Sequence, residues 1–200
     1  MRQRLFAGII ALSALAGCAH FGDGGGSAIE RQLASPSRTA DDRARDARDR
    51  PQAVLAFAGF ERGDTIADIF GGGGYYSELL SGLVGHSGQV LLVNNAPYDA
   101  YAKKDLQPRL AGDRLKNVHY SIAPNEALGL GEGTLDGALI VMSYHDLYYV
   151  DPDNGWPAID AGGFIDQIVV ALKPGGRLLI VDHAAREGSG VLTCINWISG

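Results

Sequence analysis

Apolar residues recur along the chain in short runs that alternate with segments of helical period. "DTIADIF" (64–70) is a compact apolar run of the kind that forms a strand buried on both faces, and "YYSELLSGLV" (75–84) follows with helical spacing. "QVLLVN" (89–94) predicts a second strand and "YDAYAKKDLQPRL" (98–110) a second helix, ended near Pro108. "NVHYSIA" (117–123) and "LDGALIVMS" (135–143) predict strands three and four. "GGFIDQIVVAL" (162–172) predicts a helix, "KPGG" (173–176) its stop signal, and "RLLIVDH" (177–183) a fifth strand. Strands that alternate with helices at this spacing predict a Rossmann-like, doubly wound, mostly parallel α/β sheet with right-handed crossovers.

The first residues follow a different pattern. "MRQR" is a basic flank, and "LFAGIIALSAL" is an apolar stretch too short to span a bilayer. "LAGC" (15–18) then resembles a lipobox, so that 1–18 reads as a lipoprotein signal peptide with its lipobox, and the resemblance implies that Cys18 is acylated and becomes the new N-terminus. Ala19 after the cysteine, where an aspartate is absent, implies sorting to the outer membrane, facing the periplasm. Residues 19–38, with glycines 24 to 26, read as a flexible tether. "TADDRARDARDR" (39–50) spaces opposite charges three or four apart, the pattern of a solvated helix face. The apolar "QAVLAFAGF" (52–60) can cover a sheet edge.

Composition adds limits. The formal net charge of the 200 residues is -6, and acidic and basic residues are intermixed, which argues against nucleic acid as a partner. Cys194 is the one cysteine besides Cys18, so a lipidated Cys18 leaves no intrachain disulfide.

In a doubly wound sheet, ligands sit beyond the carboxyl ends of the strands where strand order reverses. Gly71 to Gly74 form the turn after the first strand, with Asp68 closing that strand. Glycine permits a sharp turn and close approach of a ligand to backbone N–H groups at a helix start.

"DTIADIFGGGGYYSELL", "GTLDGALIVMSYHDLYY" and "ALKPGGRLLIVDHAA" together resemble class I S-adenosylmethionine-dependent methyltransferases. More narrowly, "YHDLY", "LKPGG…VDH" and "GWPAID" are similar to a group of bacterial methyltransferases, over Thr39 to Gly190. The resemblance implies that the domain at 39–190 takes S-adenosylmethionine and methylates a small molecule. Asp68, Gly72, Gly73 and Gly74 would hold the methionine end. Phe70 stands where the first glycine of the usual loop belongs, and Asn94 and Asn95 stand where an acidic residue grips the ribose. Asn125, next to Glu126, falls where the adenine edge would be read.

"SYHDLYY" and "VDHAA" end strands four and five and bring polar groups to one rim. His145 is the candidate general base, Asp146 or Asp182 its orienting carboxylate, and His183 a substrate contact. The same two histidines and two aspartates are metal-ligand types, but their spacing does not form a ligand motif, and no metal is expected. The chain stops soon after Gly190, so the expected sheet is cut off after its fifth strand, with 191–200 an atypical tail. That shortness, the export signal and the missing acidic residue keep a second expectation open: a non-catalytic lipoprotein scaffold or binding module.

Overall fold

The computed structural model describes residues 24–184. Cys18, Cys194 and the tail at 191–200 lie outside them. Among the described residues, five parallel strands form one sheet in the order β3-β2-β1-β4-β5: β1 Thr65–Ile69, β2 Gln89–Asn94, β3 Val118–Ile122, β4 Leu135–Val141 and β5 Leu172–Val181. The chain winds outward from β1 to β3, then returns to place β4 on the other side of β1. The reversal therefore lies between β1 and β4, as the doubly wound pattern requires.

Among the described residues, six α-helices flank the sheet: α1 Gly24–Leu33, α2 Ala40–Asp49, α3 Pro51–Ala58, α4 Tyr75–Val84, α5 Ala96–Leu110 and α6 Ala161–Ala171. Side chains of successive strand residues point to opposite faces, and the core divides accordingly. Ile66 and Leu139 join Leu55, Leu79 and Leu80 on the face covered by α1, α3 and α4. Ala67, Ile69, Ala138 and Ile140 join Phe164 and Ile168 of α6 on the other. Phe164 and Ile168 are fully buried, a burial that contributes about 2–3 kcal/mol each.

Three elements differ from the sequence pattern. The first is in the segment expected as a tether, where Gly24–Leu33 is helical and packs on α3 and α4 with Ile29 buried. The tether reading gave weight to its glycines and missed the apolar residue that docks the helix. The second is "KPGG", which does not separate helix from strand. α6 ends at Ala171, and β5 takes in residues 173–176 as an irregularity opposite Leu135 and Gly137. Gly175 at φ +84° permits that bulge. The third is α5, which runs through Pro108 to Leu110, because a proline near a helix end removes only one backbone bond.

Candidate functional site

β1 and β4 are each followed directly by a residue with a backbone that L-residues rarely adopt. Phe70 has φ +53° and Met142 φ +57°. Such conformations cost about 1–3 kcal/mol each and gather at functional sites. Here they stand side by side at the switch point. The Phe70 ring turns down into the core, stacked on Tyr98 at 4.7 Å and against Phe164 at 5.1 Å. It is 3% exposed and leaves the turn above it open.

That turn borders a cavity of about 540 Å³, walled by Asp68, Phe70 to Gly73, Tyr75, Tyr76, Tyr98, Met142 and Ser143, and by α2 residues that include Asp41 and Arg45. Close packing explains the glycine at 71: a Cβ there would stand 2.5 Å from the Asp68 carboxylate. Gly72, at φ +56°, is held by Asn94, whose amide accepts from its N–H at 3.0 Å and donates to its carbonyl at 3.1 Å. Gly74 is the left-handed residue that leads into α4, and it does not line the cavity.

Asp68 is buried at the cavity wall. Loss of solvent pushes its carboxyl up to about 6, although Ser77 Oγ donates to it at 2.6 Å. Burial alone would leave this group uncharged over much of the acidic range.

The roof is α2. Thr39 caps it, accepting from the Asp42 N–H at 3.0 Å while Asp42 accepts from the Thr39 N–H. Asp42 and Asp46 are paired and not solvated as the charge pattern predicts, while Asp41 stays exposed. Arg109 of α5 grips Asp42 with two nitrogens at 2.8 and 3.1 Å, bonds Glu78 of α4, and donates Nε to the Gly73 carbonyl at 2.7 Å. Arg38, 3% exposed, pairs with Asp46 at 2.6 and 2.7 Å, and Asp46 accepts the Tyr75 hydroxyl at 2.5 Å. Burial works against charge on Asp42, but Arg109 outweighs it and holds the carboxyl below its usual range. Three helices and the glycine turn thus share one ion-paired knot. The sequence signal for it is the Thr39-x-x-Asp42 cap spacing, which marks a helix start and says nothing of Arg109, 67 residues away.

The strand-end rim forms a separate cluster. Asp182 accepts from the His145 backbone N–H at 3.0 Å and meets the ring Nδ1 at 2.8 Å. His145 Nε2 stands 3.4 Å from Asp146, which accepts the Tyr98 hydroxyl. Burial opposes charge on Asp182, yet its bonds to His145 and to the His183 N–H lower its carboxyl pKa. Asp146, with burial dominant, is raised. The His183 ring lies 6.1 Å from that of His145. In the same segment as His145, Tyr144 packs edge-on against Tyr148, and Trp156 packs against Tyr149 and Tyr98. The structure therefore brings together His145, Asp146, Asp182 and His183, but none of them lines the cavity. Tyr98 spans the two, one face to the cavity and its hydroxyl on Asp146. Sequence reasoning missed it.

Asn94, Asn95 and Asn125 do not line the cavity either. Asn95 caps α5 through the Tyr98 N–H and donates to Asn125 at 3.1 Å. Among the described residues, no group of three His, Cys, Asp or Glu side chains is placed to hold a metal ion.

No family model matches the chain. It is 28% identical over 136 residues to the ubiquinone/menaquinone biosynthesis C-methyltransferase UbiE of Teredinibacter turnerae, covering 68% of this chain and 49% of that protein. To UbiE of Escherichia coli O1:K1 it is 31% identical over 129 residues, covering 64% and 45%. The chain thus spans about half the length of the curated relatives it matches. Among solved structures, a SAM-dependent methyltransferase from Aquifex aeolicus matches at TM-score 0.57 and 22% identity, covering 84% of this chain and 79% of that one. The chain has the fold of class I S-adenosylmethionine-dependent methyltransferases and is similar to members of that class in sequence.

Proposed function

We propose that the protein transfers a methyl group from S-adenosylmethionine to a small protic acceptor. The observation that carries this reading is the cavity at the β1–β4 switch point, with a glycine turn on one side and the Asp68 carboxylate in its wall. The donor set fits such a cofactor. The close approach of Gly71 to Asp68 leaves no room for a side chain, and Tyr76 and Ser143, which both line the cavity, each carry a buried hydroxyl without a partner. When bound, the cofactor supplies an electrophilic methyl on a sulfonium. Asp68 is placed to receive its ammonium, and Gly72 and Gly73 to lie against its methionine end, with Asn94 positioning Gly72. His145 takes the acceptor's proton at Nε2 while Asp182 fixes its Nδ1, and His183 contacts the acceptor. The aromatic rim suits a flat acceptor. The curated relatives are named for ubiquinone and menaquinone biosynthesis, which agrees with that shape.

A second reading, a non-catalytic binding module on the same scaffold, is favoured by one observation: the amides of Asn94, Asn95 and Asn125 are all engaged within the protein, where a ribose grip is expected. Calorimetry of the lipid-free protein with S-adenosylmethionine and with NAD separates the readings. Heat at micromolar concentration with the first alone supports methyl transfer, and silence with both supports the binding module. The lipobox motif supports anchoring in the outer membrane through Cys18. Labelled palmitate that enters the wild type but not Cys18→Ala tests this.

A further inference from the structure

His145 stands between two carboxylates that hold it differently. Asp182 bonds its Nδ1 at 2.8 Å and accepts its backbone N–H at 3.0 Å. The Asp146 carboxylate lies 3.4 Å from Nε2 without a hydrogen bond to it. Asp146 is held instead by Tyr98 of α5, whose hydroxyl donates to the other carboxylate oxygen. Among the described residues, the Asp146 side chain makes no further hydrogen bond. Burial works against its charge, and the Tyr98 bond offsets part of that cost.

Tyr98 is itself fixed. Its ring stacks on Phe70 at 4.7 Å with the planes 13° apart, and the Trp156 ring meets it edge-on at 5.5 Å. Asn95 accepts its backbone N–H at 3.0 Å. Without the Tyr98 hydroxyl, Asp146 would be a half-buried carboxylate with His145 Nε2 as its neighbour. Closing that gap would put a carboxylate on each ring nitrogen. Both nitrogens then donate, as in the imidazolium, and no lone pair is left to take a proton. The charged and titratable groups that face His145 are Asp146 in its own turn, and Asp182 and His183 after β5. Tyr149 is turned to Asp151. Among the described residues, Tyr98 alone draws Asp146 away from the ring.

We infer that Tyr98 is a positioning residue for the base: by keeping Asp146 on its hydroxyl, it leaves Nε2 of His145 free to accept a proton. This rests on the methyltransferase reading above, and it gives a wall residue of the cofactor cavity a part in proton transfer at the rim.

Tyr98→Phe keeps the ring and removes only the donor. Proton NMR of the full chain reads the result, with the His145 ring signals assigned by their loss in His145→Ala. In Tyr98→Phe, His145 should hold its proton to a pH about one unit higher than in the wild type. Methyl transfer at pH 7 should fall about tenfold and recover as pH rises, while S-adenosylmethionine affinity by calorimetry stays within about twofold. Adding Asp146→Ala to Tyr98→Phe removes the trapping carboxylate and should return the titration to the wild-type position or below. An unchanged titration in Tyr98→Phe overturns the inference, as does a shift that survives in the double variant. Thermal unfolding of each variant checks that the fold is kept. Asp146→Ala alone should not raise the titration, and a rise there also overturns the inference. A titration that shifts as expected, in a chain whose wild type methylates no acceptor, overturns the methyltransferase reading alone.

Discussion

The glycine cradle and the strand-end rim sit at the same end of one sheet and are built in opposite ways. The cradle is backbone held from outside: Asn94 grips Gly72, Arg109 grips the Gly73 carbonyl, and α2 is tied down by Arg109 and Arg38. The rim is side chain held from inside, with His145 between two carboxylates on consecutive strand ends. Their acids differ too. Asp68 in the cradle is raised by burial, whereas Asp182 at the rim is lowered by its hydrogen bonds. The contrast suits a division of labour. Asp68, whose ionisation burial opposes, gains from a ligand that brings its own positive charge, and Asp182, held ionised by its hydrogen bonds, stabilises a protonated imidazole.

Three changes break or sharpen this contrast. The largest is Arg109→Ala, which strands Asp42, 8% exposed at its side chain, and leaves Glu78 to Arg114 alone. Leaving a buried charge without its partner costs about 3–5 kcal/mol, read as a lower urea midpoint, and α2 should lose amide protection before the sheet does. Next, His145→Ala should keep cofactor affinity and reduce methyl transfer by about a thousandfold, measured as S-adenosylhomocysteine released with a panel of phenolic and amine acceptors. Unchanged release would remove the rim from the chemistry.

The smallest separates the two acids by pH. The Asp68 carboxyl is raised from 3.8 to about 6, so the folded state holds its proton more tightly than the unfolded state. Its stability is full below pH 4 and falls as pH rises through 6, by about 2–3 kcal/mol. Asp182 runs the other way, stabilising at neutral pH and losing that contribution as pH falls through its lowered value. Asp68→Asn should therefore abolish the loss between pH 4 and 6, while Asp182→Asn should abolish part of the acid-side loss. Parallel curves for both variants would show that the two acids share one environment.

How much of this the sequence carried depends on how local each signal is. β1, α4 and the glycine turn were legible because strand burial, helical spacing and turn residues all act within a few positions. The His145–Asp182 pair was legible as neighbours, since both follow strands that end at one rim. The roles of Asn94 and Asn95 were not: which way an amide faces depends on the partner that folding brings to it, Gly72 in one case and Tyr98 in the other. The α2 roof was missed for the same reason. An Asp-Arg repeat reads as a solvated face until Arg109 and Tyr75 arrive from elsewhere in the chain and Arg38 folds back from just before the cap. Phe70 was visible as a departure from the glycine loop. Only its positive φ and its stacking on Tyr98 show how a large ring fits there.

The central claim is that the space between α2 and the glycine turn receives S-adenosylmethionine. Amide hydrogen exchange with and without the cofactor tests it most directly. The account predicts new protection at Gly71–Tyr76 and across Thr39–Asp49 together, with none on addition of NAD. Exchange that is unchanged in both segments would contradict it.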